Sequence, residues 1–242
     1  MQTTLGVEQM SFSQELITEA QPYLEAVKHS DFVKAILANN LSSEALDYYV
    51  GQDLQYGDIE TKVQAYLIIY SKRFADQRNF AELLSNHLGI DEAVFKGMTS
   101  QNWDTIRTAK MEPVTYIYTH HLLDPIKTGD PLNILASFEA GVWVYVELIK
   151  YLDDTGKVAA DNPFYGWLDS LKGDDYQNVS DGFLKVLDRL AVKQSQAHLD
   201  KVKQDFLRSC LLEWYFFDAS FKQITWGDWS RNALEGSREE LL

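Results

Sequence analysis

Helical periodicity runs along the chain, and no segment shows the sustained alternation of a half-buried strand. Between Leu46 and Tyr70 the apolar residues fall at Leu46, Tyr49, Val50, Tyr56, Val63, Leu67 and Tyr70. That spacing marks the buried stripe of an amphipathic helix. Asp53 interrupts the stripe, and Glu60, seven residues on, interrupts it again. A buried carboxylate is costly unless something hydrogen-bonds it or it binds a ligand. Tyr48, Tyr49 and Tyr56 surround Asp53 and suggest the wall of a pocket for a flat molecule. The plainer account is a core Asp paired with a buried Arg, Tyr or His.

Capping residues and prolines punctuate the rest. Asp31 can cap a short helix through Ala38, and Ser42 or Ser43 can cap the long helix carrying Asp53. Asp91 suits the start of another short helix. Pro113 fits the first turn of a helix running to His121 and Leu123, and Asp124–Pro125 disturbs its end. Asp130–Pro131 and Asn162–Pro163 both read as cap followed by first-turn proline, and Gly156 stops the apolar helix. Ser180 or Asp181 opens a helix toward Gln194, and the last long helix covers roughly Ala197 to Phe221. From Trp226 the tail reads as partly irregular. The pattern predicts one all-α domain over residues 1–242, a single helical bundle of about eight to ten helices. Its core spans about residues 11–225 and its tail about 226–242.

Charge and composition narrow the function. The formal charge of −14 opposes nucleic acid, whose binding rests on neutralising phosphates, and it opposes anionic membranes. The apolar stretch Leu132–Leu152 is broken by Asn133, Ser137, Glu139, Glu147 and Lys150, so it reads as a core helix, not a membrane span. Cys210 is the only cysteine, which excludes a disulfide within the chain and makes a reducing, cytoplasmic setting the expectation. Met1–Gln9 has neither the basic nor the apolar region of a signal peptide.

Familiar catalytic signatures are absent: no Gly-rich phosphate loop, no Gly-x-Ser-x-Gly, no Cys pair. No Glu has a His three residues later, and the adjacent His120 and His121 point in different directions on a helix. The expectation is therefore no metal and no cofactor, with His120 at the surface beside a core or pocket His121. What remains are polar groups inside apolar helices. Glu139 lies in Leu135–Trp143 and Glu213 in Cys210–Phe217. An apolar surround raises a carboxyl pKa, as a general acid working near neutrality requires. Tyr118 and Tyr145 are further candidates. Cys210 shares a helical face with Glu213, although a lone Cys in an apolar helix is usually inert core.

Taken in order, these segments resemble the TenA (thiaminase II) family over roughly residues 20–225. The likeness rests on His29–Val33, on Tyr48-Tyr-Val-Gly-Gln-Asp53-Leu-Gln-Tyr56, on Tyr116-Ile-Tyr118, on Gly141-Val-Trp143-Val-Tyr145-Val-Glu147, and on Glu213–Asp218. The resemblance implies a heme-oxygenase-like helical bundle without heme, assembled as a homo-oligomer, in this family a tetramer. It implies a small-molecule pocket for the pyrimidine half of thiamin or its breakdown products. The family's pyrimidine-anchoring Asp falls on Asp53, its pocket aromatics on Tyr56, Tyr118 and Tyr145, and its catalytic Glu on Glu213. Tyr49 and Glu139 join the candidate substrate-binding set from the residue pattern. The position of the family's nucleophilic cysteine holds Gly141, which excludes a nucleophile there. The tyrosine expected after the Trp167 region falls on Leu171, and a histidine of the third long helix has no counterpart near Ala81. The sequence more closely resembles the branch that hydrolyses amino- or formylamino-pyrimidines with carboxylates and without this cysteine, or a divergent member with a changed substrate. Competing readings are a pyrimidine-binding protein without catalysis, a transcriptional regulator, which the charge opposes, and a cofactor-less oxidase on the same fold.

Overall fold

From Leu132 to Val144 every residue is buried. A helix with no wet face can only be the centre of a bundle, and α8 (Pro131–Thr155) is that centre. Asp130 caps it by accepting from Leu132 N, Pro131 occupies its first turn, and Gly156 ends it at φ +59°. By length and composition α8 could cross a membrane, but 89% of its most apolar window is buried inside the protein.

The computed structural model describes residues 10–88, 92–171 and 174–231. Among them the other helices are α1 (Phe12–Lys28), α2 (Asp31–Leu37), α3 (Ser43–Tyr70), α4 (Phe74–Leu88), α5 (Glu92–Met98), α6 (Trp103–Arg107), α7 (Pro113–Leu123), α9 (Tyr165–Ser170), α10 (Asp174–Ala191) and α11 (Gln196–Lys222). A 3-10 turn, Pro125–Thr128, joins α7 to α8. No strand occurs among the described residues. α11 makes the broadest contact with α8, and α1, α3, α7 and α10 complete the wall around it. Tyr49, Val50, Val63 and Leu67 of α3 face this core, as the stripe predicts.

The opposite face of α3 is tied down separately. Asp47 accepts from Thr99 Oγ1 at 2.5 Å, and Gln52 donates to Lys110 O and accepts from Glu112 N. Tyr48 donates to Ile224 O at 2.5 Å, so it is not part of a wall around Asp53. These groups line a surface groove of about 400 Å³ whose buried polar atoms already have internal partners.

Several element boundaries differ from the sequence reading. Helices are more numerous, because short α6 and the capping-box helix α1 were not separable by pattern. Ser30, not Asp31, caps α2. Ser195 caps α11, which runs one residue further at each end. Asn162 accepts from Phe164 N in a turn before α9 and does not start that helix. α10 begins at Asp174, well before Ser180 and Asp181. Both resemble caps, but the Ser180 hydroxyl serves Glu139 across the core and Asp181 accepts from Gln177 one turn earlier. Residues 226–231 are helical, with Trp226 Nε1 donating to Met111 O at 3.0 Å. Asp91, the stretch Met1–Gln9 and the tail beyond residue 231 lie outside the described residues.

Candidate active site

Four helices bring the candidate groups together. α3 carries Asp53, Tyr56 and Glu60, α7 carries Tyr118, α8 carries Gly141 and Tyr145, and α11 carries Glu213. Asp53 and Glu60 are two turns apart and share a face, separated by about 10 Å of helix rise.

Asp53 lies deep in the bundle yet retains accessible surface. It makes no hydrogen bond or ion pair among the described residues. Burial, then the Glu60 carboxylate, pushes its carboxyl up to about 7. Tyr56, Glu60, Tyr145 and Tyr176 show the same combination of deep burial and residual accessible surface. Side chains that are desolvated and still touched by water lie between the sealed core and solvent, where a ligand can reach them.

Glu213 is buried and electrostatically coupled to Asp53 and Glu60. Its Oε1 accepts from Tyr118 OH at 2.6 Å. Its Oε2 makes no hydrogen bond among the described residues. Burial raises the carboxyl to about 8, the Tyr118 hydrogen bond holds it lower than burial alone would, and Asp53 and Glu60 add to the rise. Such a group exchanges protons near neutral pH. Tyr49 and Tyr145 bond to each other, OH to OH, at 3.1 Å. Burial raises the phenols of Tyr49, Tyr56, Tyr118, Tyr145 and Tyr176, so all five stay neutral donors. Tyr56 and Tyr118 stack obliquely at 5.0 Å, and Phe216 closes against Tyr56 and Tyr49. The set of flat rings and carboxyls can hold a planar heterocycle by its faces and its donor edge.

Gly141 explains how Glu213 fits. A Cβ added there would lie 2.8 Å from Glu213 Oε1, 3.1 Å from Tyr118 OH and 3.3 Å from Tyr56 OH. The absent side chain makes room for the carboxyl and its two phenols.

Other candidates fall elsewhere. Glu139 is sealed in the core against α10: Ser180 Oγ donates to its Oε1 at 2.5 Å, and its Oε2 is buried without a partner. It does not join the Asp53–Glu213 group. Cys210 is fully buried, and burial followed by the Glu213 charge raises its thiol well above the usual range. His121 packs inward with its Nε2 2.9 Å from Ser209 Oγ, while His120 is exposed. Among the described residues no group of three His, Cys, Asp or Glu could hold a metal.

Two residues escaped the sequence reading. Tyr176 opens α10, where burial and the charges of Glu60, Glu139, Glu213 and Asp53 all raise its phenol. Leu171, the expected tyrosine position, shares only a small cavity of about 90 Å³ with it. His87 of α4 places Nδ1 3.7 Å from Glu60 Oε2. It lies six residues past Ala81, which is why a search at Ala81 missed it.

Residues 18–223 match the TENA/THI-4/PQQC family. The chain belongs to that family. An aminopyrimidine aminohydrolase of Halalkalibacterium halodurans is 25% identical over 225 residues, covering 90% of this chain and 98% of that protein. A TenA homologue from Pyrococcus furiosus superposes with a TM-score of 0.76 at 17% identity, over 86% of this chain and 99% of that one. A domain of unknown function from Shewanella denitrificans, described as having a heme oxygenase-like fold, gives a TM-score of 0.63 at 17% identity, over 87% and 90% of the two chains. This TenA-like protein is thus an all-α, heme-oxygenase-like bundle.

Proposed function

We propose that this protein hydrolyses an aminopyrimidine derived from thiamin, releasing its exocyclic amine without a cysteine nucleophile. The single observation that carries the reading is the Asp53 carboxyl, deep in the bundle without a hydrogen-bond or ion-pair partner among the described residues and electrostatically coupled to the Glu213 carboxyl that Tyr118 holds. The aminohydrolase relatives give the reaction class.

In this reading Asp53 pairs with the amino edge of the ring, and Tyr56, Tyr118, Tyr145 and Tyr176 hold the ring faces and rim. Asp53 accepts a proton from the ring amino group. Electrons move through the ring and break the bond from the exocyclic methylene carbon to the protonated amine, which leaves as ammonia. Glu213 then takes a proton from water, and the hydroxyl adds to the methylene carbon. Asp53 returns its proton to the imino nitrogen left by the ring amino group, and the released ammonia takes the proton held by Glu213 and departs as ammonium. The sum is a substituted methylammonium plus water giving an alcohol plus ammonium. The near-neutral affinity of both carboxyls suits groups that must take and return protons.

Ammonia release by the wild type and by Glu213→Gln tests this. The variant loses turnover while still quenching Trp fluorescence on binding the pyrimidine. Unchanged turnover in the variant defeats the role of Glu213. The second reading, binding without catalysis, is favoured by Gly141 standing where the family's cysteine falls. It predicts fluorescence quenching by the wild type with no ammonia released.

A further inference from the structure

The reaction above leaves one buried carboxyl of α8 unused. Glu139 and Ser180 have no exposed surface, and Ser180 Oγ of α10 donates to Glu139 Oε1 at 2.5 Å. The seam around this bond is apolar: Phe138 of α8 meets Phe183 of α10 edge-on at 5.9 Å, and Leu187 is fully buried. Apolar side chains fill such a seam without fixing its register. A buried hydrogen bond fixes it, because a shift leaves both groups unpaired away from water.

The other polar ties of α10 among the described residues lie further along the helix. Asp188 accepts from Ser13 N at 2.7 Å and from Ser13 Oγ at 2.9 Å, and Arg189 donates to Asp76 Oδ2 at 2.7 Å. From Tyr176 onward, Ser180 is the first residue of α10 whose side chain bonds to another helix among the described residues. Gln177 donates to Asp181 Oδ1 within α10 itself and ties that turn to no neighbour. Tyr176 stands four residues before Ser180, one turn away on the same face. With Gln177 it walls a cavity of about 90 Å³ against Val146, Ile149 and Leu171. Val146 and Ile149 follow Tyr145 by one and four residues, so the cavity adjoins the turn of α8 that carries Tyr145. A ring beside open volume has room to move, and the nearest polar restraint on its turn is the bond from Ser180 to Glu139.

We propose that Glu139 is a positioning residue: through Ser180 it pins the turn of α10 that carries Tyr176, and so fixes where that ring meets the ligand. This rests on the reading of the Asp53–Glu213 group as an aminopyrimidine site, and it adds a residue that acts there without touching the ligand. Burial holds the Glu139 carboxyl well above its ordinary range, so at neutral pH it is an uncharged acid. A Gln amide keeps its shape and its acceptor for Ser180. A Leu keeps most of the volume and loses the acceptor.

Titration calorimetry of 4-amino-5-hydroxymethyl-2-methylpyrimidine into the full chain, with thermal unfolding of each variant, tests the proposal. Tyr176→Ala weakens binding by about tenfold, the scale of one aromatic contact. Glu139→Gln binds within about twofold of wild type, and Glu139→Leu weakens binding by about fivefold to tenfold. In the Tyr176→Ala background Glu139→Leu changes affinity by less than about twofold, because the ring it positions is gone. Ser180→Ala removes the same bond from the other side and gives the same pattern, which keeps the test open should Glu139→Leu fail to fold. Wild-type affinity in Tyr176→Ala, or a loss from Glu139→Leu and Ser180→Ala that is equal in both backgrounds, overturns the proposal and leaves the site standing. A lowered Tm with unchanged affinity assigns Glu139 to stability alone and overturns it as well. Failure of the wild type to bind the pyrimidine overturns the aminopyrimidine reading itself, and this inference with it.

Discussion

Restoring a thiol at position 141 is the sharpest perturbation the geometry offers. A Cβ on residue 141 falls 2.8 Å from Glu213 Oε1, and a cysteine sulfur extends further into the space between Glu213, Tyr118 and Tyr56. Overpacking of this kind costs about 1–3 kcal/mol. Moving Glu213 also strains or breaks the 2.6 Å bond from Tyr118, a charged hydrogen bond worth about 1.5–3 kcal/mol. Replacing a helical glycine returns about 1 kcal/mol. The net expectation for Gly141→Cys is a loss of about 3 kcal/mol, lowering Tm by about 6–12 °C in a domain of this size. Gly141→Ala shows a smaller loss of the same sign. Displacing the acid–base group by about 1 Å costs about a hundredfold in turnover. Thermal unfolding and ammonia release on wild type, Gly141→Ala and Gly141→Cys measure both effects. A Gly141→Cys protein with wild-type Tm, or with equal or greater turnover, refutes the claim that Glu213 occupies the place of a thiol.

Other outcomes follow from the same geometry. Asp53 titrates near 7 in the fold against 3.8 as its ordinary value, so its charging opposes folding. The favourable contribution is complete below about pH 4 and is lost as pH rises through about 7, so Asp53→Asn is more stable than wild type at about pH 8 by of order 2–4 kcal/mol. Urea unfolding at both pH values checks it, and an advantage that grows toward acid pH contradicts the sign. Tyr118→Phe removes the hydrogen bond that lowers Glu213, so the limb of the kcat/KM–pH profile governed by Glu213 moves to higher pH. An unmoved profile separates Glu213 from that limb. Cys210, buried and raised by burial and by Glu213, reacts slowly with iodoacetamide in the native state. Cys210→Ala keeps turnover within about threefold, since a buried thiol acts as a small apolar side chain; loss of turnover there gives Cys210 a part in the reaction.

How much of this was legible depends on how local the signal is. The all-α class was, because the apolar period of α3 and the continuous burial of α8 are properties of single segments. Asp53 and Glu213 stood out for the same reason, as charges inside apolar helices. Side-chain direction was less legible. Tyr48 and Tyr49 are neighbours in sequence, yet one bonds the chain near Ile224 and the other bonds Tyr145, because adjacent helical residues diverge by about 100°. Glu139 and Glu213 look alike in sequence, and only packing decides that Ser180 holds one while Tyr118 holds the other. Tyr176 and His87 were missed because their positions depend on how α10 and α4 dock, which no local pattern encodes.

The account turns on Asp53 as the group that docks the amino edge of a pyrimidine ring. Its most direct test is the dissociation constant of 4-amino-5-hydroxymethyl-2-methylpyrimidine for wild type and for Asp53→Asn, by calorimetry at neutral pH. This neutral ligand isolates ring recognition from any charge on the substituent. Loss of a charge-assisted bond at a desolvated edge predicts binding weaker by about tenfold to a hundredfold in the variant. Equal affinity in the two proteins contradicts the account.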